Sequence, residues 1–318
     1  MNTTILLIST DRATELRHSL PAALAQPDAE VIVLDNASTD TTPELTREHG
    51  ARHLRLERRM SWAEANNAGI RAAEGESVLL LNADCFLEPT FLEHARTALA
   101  QPGVGSVAPK LIRTLGPDRA ERLDLIDAAG MSLDRRRKNN LVGHGRPSLA
   151  FDTPGRSFGA DGAAALYRRE MLNDCALDGN VLDPAFEKWA SDVDLAWRGH
   201  LMGWDCAYEP RAVAYHVRSY GPSSRRLVPE GDRRVQFRNR YLMMLKNDSR
   251  ASLARDLPRI GAYEALALGF ALLRERHLLR GYAEARRLAA DARRQGRIIA
   301  RRRKLDPRLV PFGLEPQP

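Results

Sequence analysis

Ser77-Val78-Leu79-Leu80-Leu81-Asn82-Ala83-Asp84 carries the strongest structural signal in the chain. Its apolar residues run without alternation, as in a strand buried on both faces of a parallel sheet. The run stops on two polar side chains at alternate positions, Asn82 and Asp84, which a strand directs to one side. In an open α/β sheet that end of a strand is where ligands bind. Asp84 is a hard oxygen donor, suited to Mg²⁺ or Mn²⁺ bridging a diphosphate. An Asx-turn that merely closes the strand accounts for the same residues equally well.

Working outward, residues 4–9 and 30–34 read as apolar strands and 51–57 as a more exposed one. Residues 12–25 carry Leu16, Leu20 and Leu24 at helical spacing, while 41–49 and 62–73 are helices stopped by Gly50 and Gly75. Strands alternating with helices imply βαβ units, so the expected fold class is α/β with a mainly parallel sheet. Beyond Pro109 the rhythm changes. Residues 111–160, with scattered Gly and Pro and the run Arg135-Arg136-Arg137-Lys138, read as a long loop or hairpin insertion forming a wall of the site. A helix near 192–202 and short strands at 204–208 and 212–217 follow, and from Pro229 the chain reads as helical and basic.

Over 318 residues Lys and Arg exceed Asp and Glu by seven, but unevenly. Residues 222–318 hold 23 basic and 10 acidic side chains, a net of +13, against −6 for residues 1–221. The expected organisation is therefore a catalytic body, 1–221, and a basic helical extension, 222–318. With 43% apolar and 28% charged residues the composition excludes global disorder and fibrous repeats. Cys85, Cys175 and Cys206 form no CxxC pair, which argues against a zinc knuckle or disulfide framework and for a reducing, cytoplasmic setting. The N-terminus lacks a basic region before its apolar run and reads as a strand, not a signal peptide. The longest apolar stretch, 265–273, is too short to span a bilayer.

Other polar clusters sit at element ends. Val33-Leu34-Asp35-Asn36-Ala37-Ser38-Thr39-Asp40 closes a strand; Asp35 can accept from a base or ribose, and Ser38, Thr39 or Asp40 can cap the next helix. Asn66 and Asn67 are adjacent amides inside a helix, unfavourable by propensity, so they serve either a ligand or buried backbone. Asp192 and Asp194 lie two apart at a helix start and point in different directions, so at most one faces a given site. His216 follows a short strand and reads as packed or as a ligand.

Taken in order, these motifs resemble the family 2 inverting glycosyltransferases, especially a bacterial rhamnosyltransferase-like branch. The resemblance covers roughly residues 3–246 and extends through Phe158-Gly159-Ala160-Asp161-Gly162-Ala163 and Asp183-Pro184-Ala185-Phe186. It implies a GT-A fold, a Rossmann-like mixed sheet that binds a nucleoside diphosphate sugar. Ser9, Asp35 and Asn36 would surround the base and ribose, with Asn66 and Asn82 also in the nucleotide-sugar site. Asp84 resembles the last acidic residue of an Asp-any-Asp metal motif, His216 a histidine that completes the shell of a divalent cation (Mg or Mn), and Arg218 a partner of the diphosphate. Asp192 resembles the catalytic base. At an ordinary carboxylate pKa near 4 it would be ionised at neutral pH without special activation. Two departures stand out: Asn82 replaces the first metal-motif Asp, and Ser191 replaces the usual Glu before the base.

The implied reaction moves a sugar, with dTDP-rhamnose the favoured donor, to a glycan or lipid-linked acceptor. The basic extension suits an anionic membrane surface, giving a cytoplasmic or peripheral inner-face location, or contacts within a homo-oligomer. A nucleotidyltransferase is disfavoured because Ser9-Thr10-Asp11-Arg12 has no glycine-rich loop. A nucleic-acid-binding protein lacks supporting motifs, and a catalytically impaired scaffold is the alternative raised by Asn82.

Overall fold

Residues 2–218, 220 and 224–317 are described by the computed structural model. The boundary expected between residues 221 and 222 lies outside the described residues. The alternation read from the sequence is realised as β1 (Thr3–Ser9), α1 (Ala13–Leu24), β2 (Ala29–Asp35), α2 (Thr42–Glu48), β3 (Arg52–Arg55), α3 (Trp62–Ala72) and β4 (Ser77–Asn82). β1 pairs in parallel with β2 and β4, and β2 with β3. Asp40 serves the helices on both sides of β2: its carboxylate accepts from the Ala13 N–H at 2.7 Å and the Thr42 N–H at 3.0 Å.

There follow β5 (Cys85–Leu87), α4 (Phe91–Leu99), β6 (Val104–Thr114), β7 (Arg122–Ala128), β8 (Met131–Leu133), β9 (Asn139–Leu141), β10 (Gly155–Ser157), β11 (Ala164–Arg168), α5 (Arg169–Cys175), α6 (Ser191–Leu201) and β12 (Asp205–His216). The main sheet runs β10-β12-β6-β11-β4-β1-β2-β3, with β5 on β12 and β7 on β6. β11 is antiparallel to both β4 and β6, so its first residues lie beside the carboxyl end of β4. This is a mixed, mainly parallel sheet flanked by helices, the GT-A-like architecture that the resemblance implied.

Alternate residues along each central strand enter two separate cores. Ile5, Val33 and Leu79 pack with α1 and α4, whereas Leu6, Leu34 and Leu80 pack with residues of α3, α5 and α6. Two-sided burial is the physical reason the sequence runs are continuously apolar.

Of the long loop and the hairpin insertion expected for residues 111–160, the structure has the hairpin form: they complete β6 and supply β7 to β10, with β7 antiparallel to β6 and β9 to β8, and bury Ile126, Met131, Phe151 and Phe158. Their apolar residues come only in short runs such as Leu125-Ile126 and Leu149-Ala150-Phe151, and the buried Asp127 and Arg137 find internal partners. One expectation is corrected. Residues 204–217 form one strand instead of two, with a register shift against β6 between Glu209 and Val213 that accommodates Pro210.

The C-terminal helices α7 (Glu230–Asn247), α8 (Arg250–Leu273) and α9 (Leu279–Arg302) are largely tied to the body. Leu242, Met243, Ala285, Ala292 and Ile299 share the core of Leu6 and Leu80. Charge is exchanged as well: Lys246 Nζ meets Asp183 and Asp194 at 2.8 Å each, and Arg294 meets Asp178. In the reverse direction Arg137, fully buried, donates from Nε to Asp248 at 2.7 Å and from Nη1 to Asp256 at 2.9 Å. Its guanidinium lies 3.8 Å from the Phe312 ring centroid. Arg137→Ala therefore strands a buried carboxylate, Asp248, while Asp256 keeps Arg255. A loss of about 3 kcal/mol is expected in urea denaturation, and Arg137→Lys should not recover it because an ammonium cannot make the forked contacts.

Candidate active site

The carboxyl ends of β4 and β12 and the chain entering β11 meet at one edge of the sheet. The Asn82 N–H donates to the Ala163 carbonyl at 2.9 Å, which places Asp161 and Gly162 beside the β4 terminus. Asn82 Oδ1 accepts from the Trp62 indole N–H at 3.2 Å. A Cβ at Gly162 would approach the Trp62 ring to 2.8 Å, so only glycine permits this contact.

At this edge His216 Nδ1 lies 2.8 Å from Asp127 Oδ2, and its Nε2 lies 3.5 Å from Asp84 Oδ1. Arg218 donates from Nε to Asp127 at 2.6 Å and from Nη2 to Asp161 at 2.8 Å. Burial disfavours the His216 charge, but the bonds to Asp127 and Asp84 outweigh it and push its pKa up to about 9. Burial likewise opposes ionisation of Asp84 and Asp127, yet their bonds to His216, with Arg218 acting on Asp127, hold both below the usual carboxylate range. A carboxylate behind a histidine, with the far ring nitrogen turned toward a second carboxylate, is the usual support of a metal-binding imidazole.

Among the described residues no group of three or more His, Cys, Asp or Glu gathers to cage a metal. The donor set that is present, Asp84 and the His216 Nε2, fits a divalent cation that takes its other ligands from a diphosphate and water.

Asp192 and Asp194 diverge as helical geometry requires. Asp192 Oδ2 accepts from the Gly162 N–H at 3.2 Å and Oδ1 from the Val193 N–H at 2.9 Å. Burial, and then the negative charge of Asp161, push its pKa up to about 6 despite those N–H bonds. The expectation of an ordinary carboxylate near 4 is thus corrected. Asp194 turns inward and is held by Arg198 and Lys246 at 2.8 Å each and by Asn247 at 2.7 Å.

The turn before α6 is strained, with left-handed φ at Glu187, Trp189 and Ala190 (57°, 59° and 65°). Helix α7 clamps it. Asn239 Nδ2 donates to the carbonyls of Phe186, Lys188 and Trp189 at 2.7, 2.9 and 3.1 Å, and Arg238 donates to Glu187 and to the Ala185 carbonyl.

The other sequence candidates lie at the ends of β1 and β2 and on α3. Ser9 is buried with its hydroxyl 3.1 Å from that of Thr42. Asp35 is buried, accepting from the Ser38 N–H at 2.7 Å, His53 at 3.1 Å and Arg55. Asn36 exchanges hydrogen bonds with the Met60 backbone at 2.8 and 3.0 Å. Asn66 is buried, donating to the Trp62 carbonyl at 2.9 Å while its Oδ1 has no partner among the described residues. Asn67 is the backbone-satisfying amide, serving Val181 and Leu182.

Asp127 and the Asn239 clamp were not singled out from the sequence. Asp127 had one signal, an acid ending an apolar segment before Ala128-Ala129-Gly130; Asn239, inside a basic helix, had none.

The model of glycosyl transferase family 2 matches residues 4–175, more than half of the chain. The chain belongs to that family. As a family 2 glycosyltransferase it is similar to the poly-beta-1,6-N-acetyl-D-glucosamine synthase of Staphylococcus epidermidis, with 24% identity over 201 residues, 61% of this chain and 44% of that one. The chain spans less than half the length of the curated relatives it matches. Among solved structures it resembles S. aureus TarS 1-349 in complex with UDP-GlcNAc, with a TM-score of 0.60, 17% identity, and 95% and 90% of the two chains covered. GalNAc-T7 with UDP, GalNAc and Mn²⁺ gives a TM-score of 0.60 at 14% identity, covering 77% of this chain and 48% of that one. These likenesses establish the GT-A-type fold of this glycosyltransferase.

Two measurements check the electrostatics of this edge. In metal-free protein the His216 imidazole should titrate near pH 9 by NMR, and Asp127→Asn should lower that midpoint. A raised histidine pKa contributes stability that is complete below the unfolded value of 6.5 and is lost as pH rises through 9. The urea midpoint of wild type should therefore fall across that window more than the Asp127→Asn midpoint does.

Proposed function

We propose that this glycosyltransferase moves a sugar from a nucleoside diphosphate sugar to an acceptor hydroxyl by one inverting displacement, with Asp192 as the base. The observation that carries the reading is the Asp192 carboxylate. It is aimed at the Gly162 amide, raised toward neutral pH, and set on the edge that also presents Asp84, His216 and Arg218. The acceptor oxygen bonds to the anomeric carbon as the bond to the diphosphate breaks on the opposite face, and the acceptor proton passes to Asp192. Asp84 and His216 would hold the divalent cation, which when bound supplies charge neutralisation for the departing diphosphate. Arg218, fixed by Asp127 and Asp161, supports that charge from within the protein.

The base and ribose belong at the ends of β1 and β2. Asp35 serves there by fixing His53 and the half-exposed Arg55. The donor favoured by the overall motif pattern is dTDP-rhamnose, and the acceptor a glycan or lipid-linked glycan. A donor-hydrolysis panel of nucleotide sugars decides the former.

Asp192→Asn should reduce transfer by several orders of magnitude and leave nucleotide-sugar affinity, read by calorimetry, nearly unchanged. Retained turnover removes Asp192 from the role. A base must be ionised, so kcat should decline as pH falls below about 6. A decline centred near 4 would assign the proton transfer to another group. EDTA should abolish transfer and Mn²⁺ restore it; full activity in chelator excludes a cation at Asp84 and His216.

A further inference from the structure

Helix α8 differs from the other C-terminal helices in what covers it. Its first turns are pinned by Arg137 through Ser252 and Asp256. From residue 260 to residue 273 its one charged side chain is Glu264, which turns inward to Arg240 and Tyr241. The exposed residues of that stretch are Gly, Ala, Leu and Phe only, with Leu266 75% and Leu273 83% exposed. Leu227 extends the patch at 72% exposure, because Arg225 of the same turn is bound to Glu275 at 2.8 Å and lies 5.6 Å from the Phe270 ring centroid.

Fourteen helical residues cover about 21 Å, short of the ~30 Å needed to cross a hydrocarbon core. Among the described residues no helix is long and apolar enough to do so. The rim of the patch is cationic. Arg226, Arg259, Arg274 and Arg280 are exposed, and none has a carboxylate partner among the described residues. Of the acids near by, Glu264 is held as above, Glu275 is bound to Arg225 and Arg233, and Asp134 to Arg136, while the exposed Glu230 lies 3.9 Å from His277 and 4.0 Å from Arg233. A second copy of the chain packed on this face would set one arginine-rich rim against another, an excess of like charge. An anionic bilayer supplies both components, hydrocarbon for the leucines and phosphate for the arginines.

We propose that the outer face of α8, from residue 261 to residue 273 with Leu227, lies in the plane of an anionic lipid surface and docks the enzyme there without spanning the bilayer. This assignment stands on the exposed face and its rim, independently of which sugar is transferred.

The test is flotation of the full chain with vesicles of phosphatidylglycerol mixed with phosphatidylcholine, and with pure phosphatidylcholine. Wild type should float with the mixed vesicles, much less with the neutral ones, and progressively less as salt rises. Leu266→Asp with Leu273→Asp should weaken binding roughly tenfold, since interfacial binding scales with buried apolar area. Both positions are exposed, and the thermal melt and donor hydrolysis in detergent-free solution should be unchanged. Arg226→Ala with Arg274→Ala should reduce the salt dependence. Equal binding to both vesicle types, or undiminished binding by the leucine variants, overturns the proposal. So does an enzyme that ignores vesicles but changes from dimer to monomer with those substitutions, which assigns the face to a second copy.

Discussion

The buried carboxylate of Asp194 is the contact on which the arrangement of this enzyme turns. Two cations and an amide converge on it: Arg198 from its own helix, and Lys246 and Asn247 from the end of α7. Burying one carboxylate costs several kcal/mol unless it is paired and hydrogen-bonded, and here it is both. Burial opposes its charge, and the Lys246 and Arg198 charges still hold it ionised below the usual range. Since Asp192 lies two residues away on the same helix, fixing Asp194 fixes the rotation of α6. The Asp192 carboxylate then faces Gly162 and not the core.

The same helix α7 stabilises the strained turn that leads to Asp192. Left-handed φ at three non-glycine residues costs of order 1–3 kcal/mol each, and the Asn239 and Arg238 bonds to the carbonyls of Ala185, Phe186, Lys188 and Trp189 offset part of this. The C-terminal helices are thus structural members of the site. The acidic body and basic extension are partners in one electrostatic exchange, and the cations left over lie on the outer surface, many of them around α8 and along α9.

At the sheet edge the charges alternate: Asp84, His216, Asp127, Arg218, Asp161, in an unbroken chain of contacts from 2.6 to 3.5 Å. His216 and Arg218 stabilise the charges of Asp84 and Asp127, which keeps those two carboxylates below their usual range in partly dry surroundings. Asp192 adjoins this chain through the charge of Asp161 but has no cation of its own. That difference separates a permanently ionised carboxylate from one poised near neutral pH.

The central sheet was set by the amino-acid order alone, because a strand buried on both faces is built from a continuous apolar run, as at residues 78–81 and 31–34. That order also determined that Asp192 and Asp194 part company, since helical rotation separates positions two apart. What the helical pattern left open was which of the two turns outward, a choice made for Asp192 by the family resemblance alone. That depends on Lys246 and Asn247, more than fifty residues away. Residues 111–160 read as either a loop or a hairpin insertion because their buried apolar side chains come in short runs and their buried charges, above all Arg137, find partners only after the chain has folded. Asp127 carried only a weak signal for the same reason: an acid at the end of a plain strand becomes the support of His216 only when β7 and β12 are brought against β6. Local periodicity fixes which face a residue takes, but a buried charge is meaningful only beside the opposite charge that tertiary structure delivers.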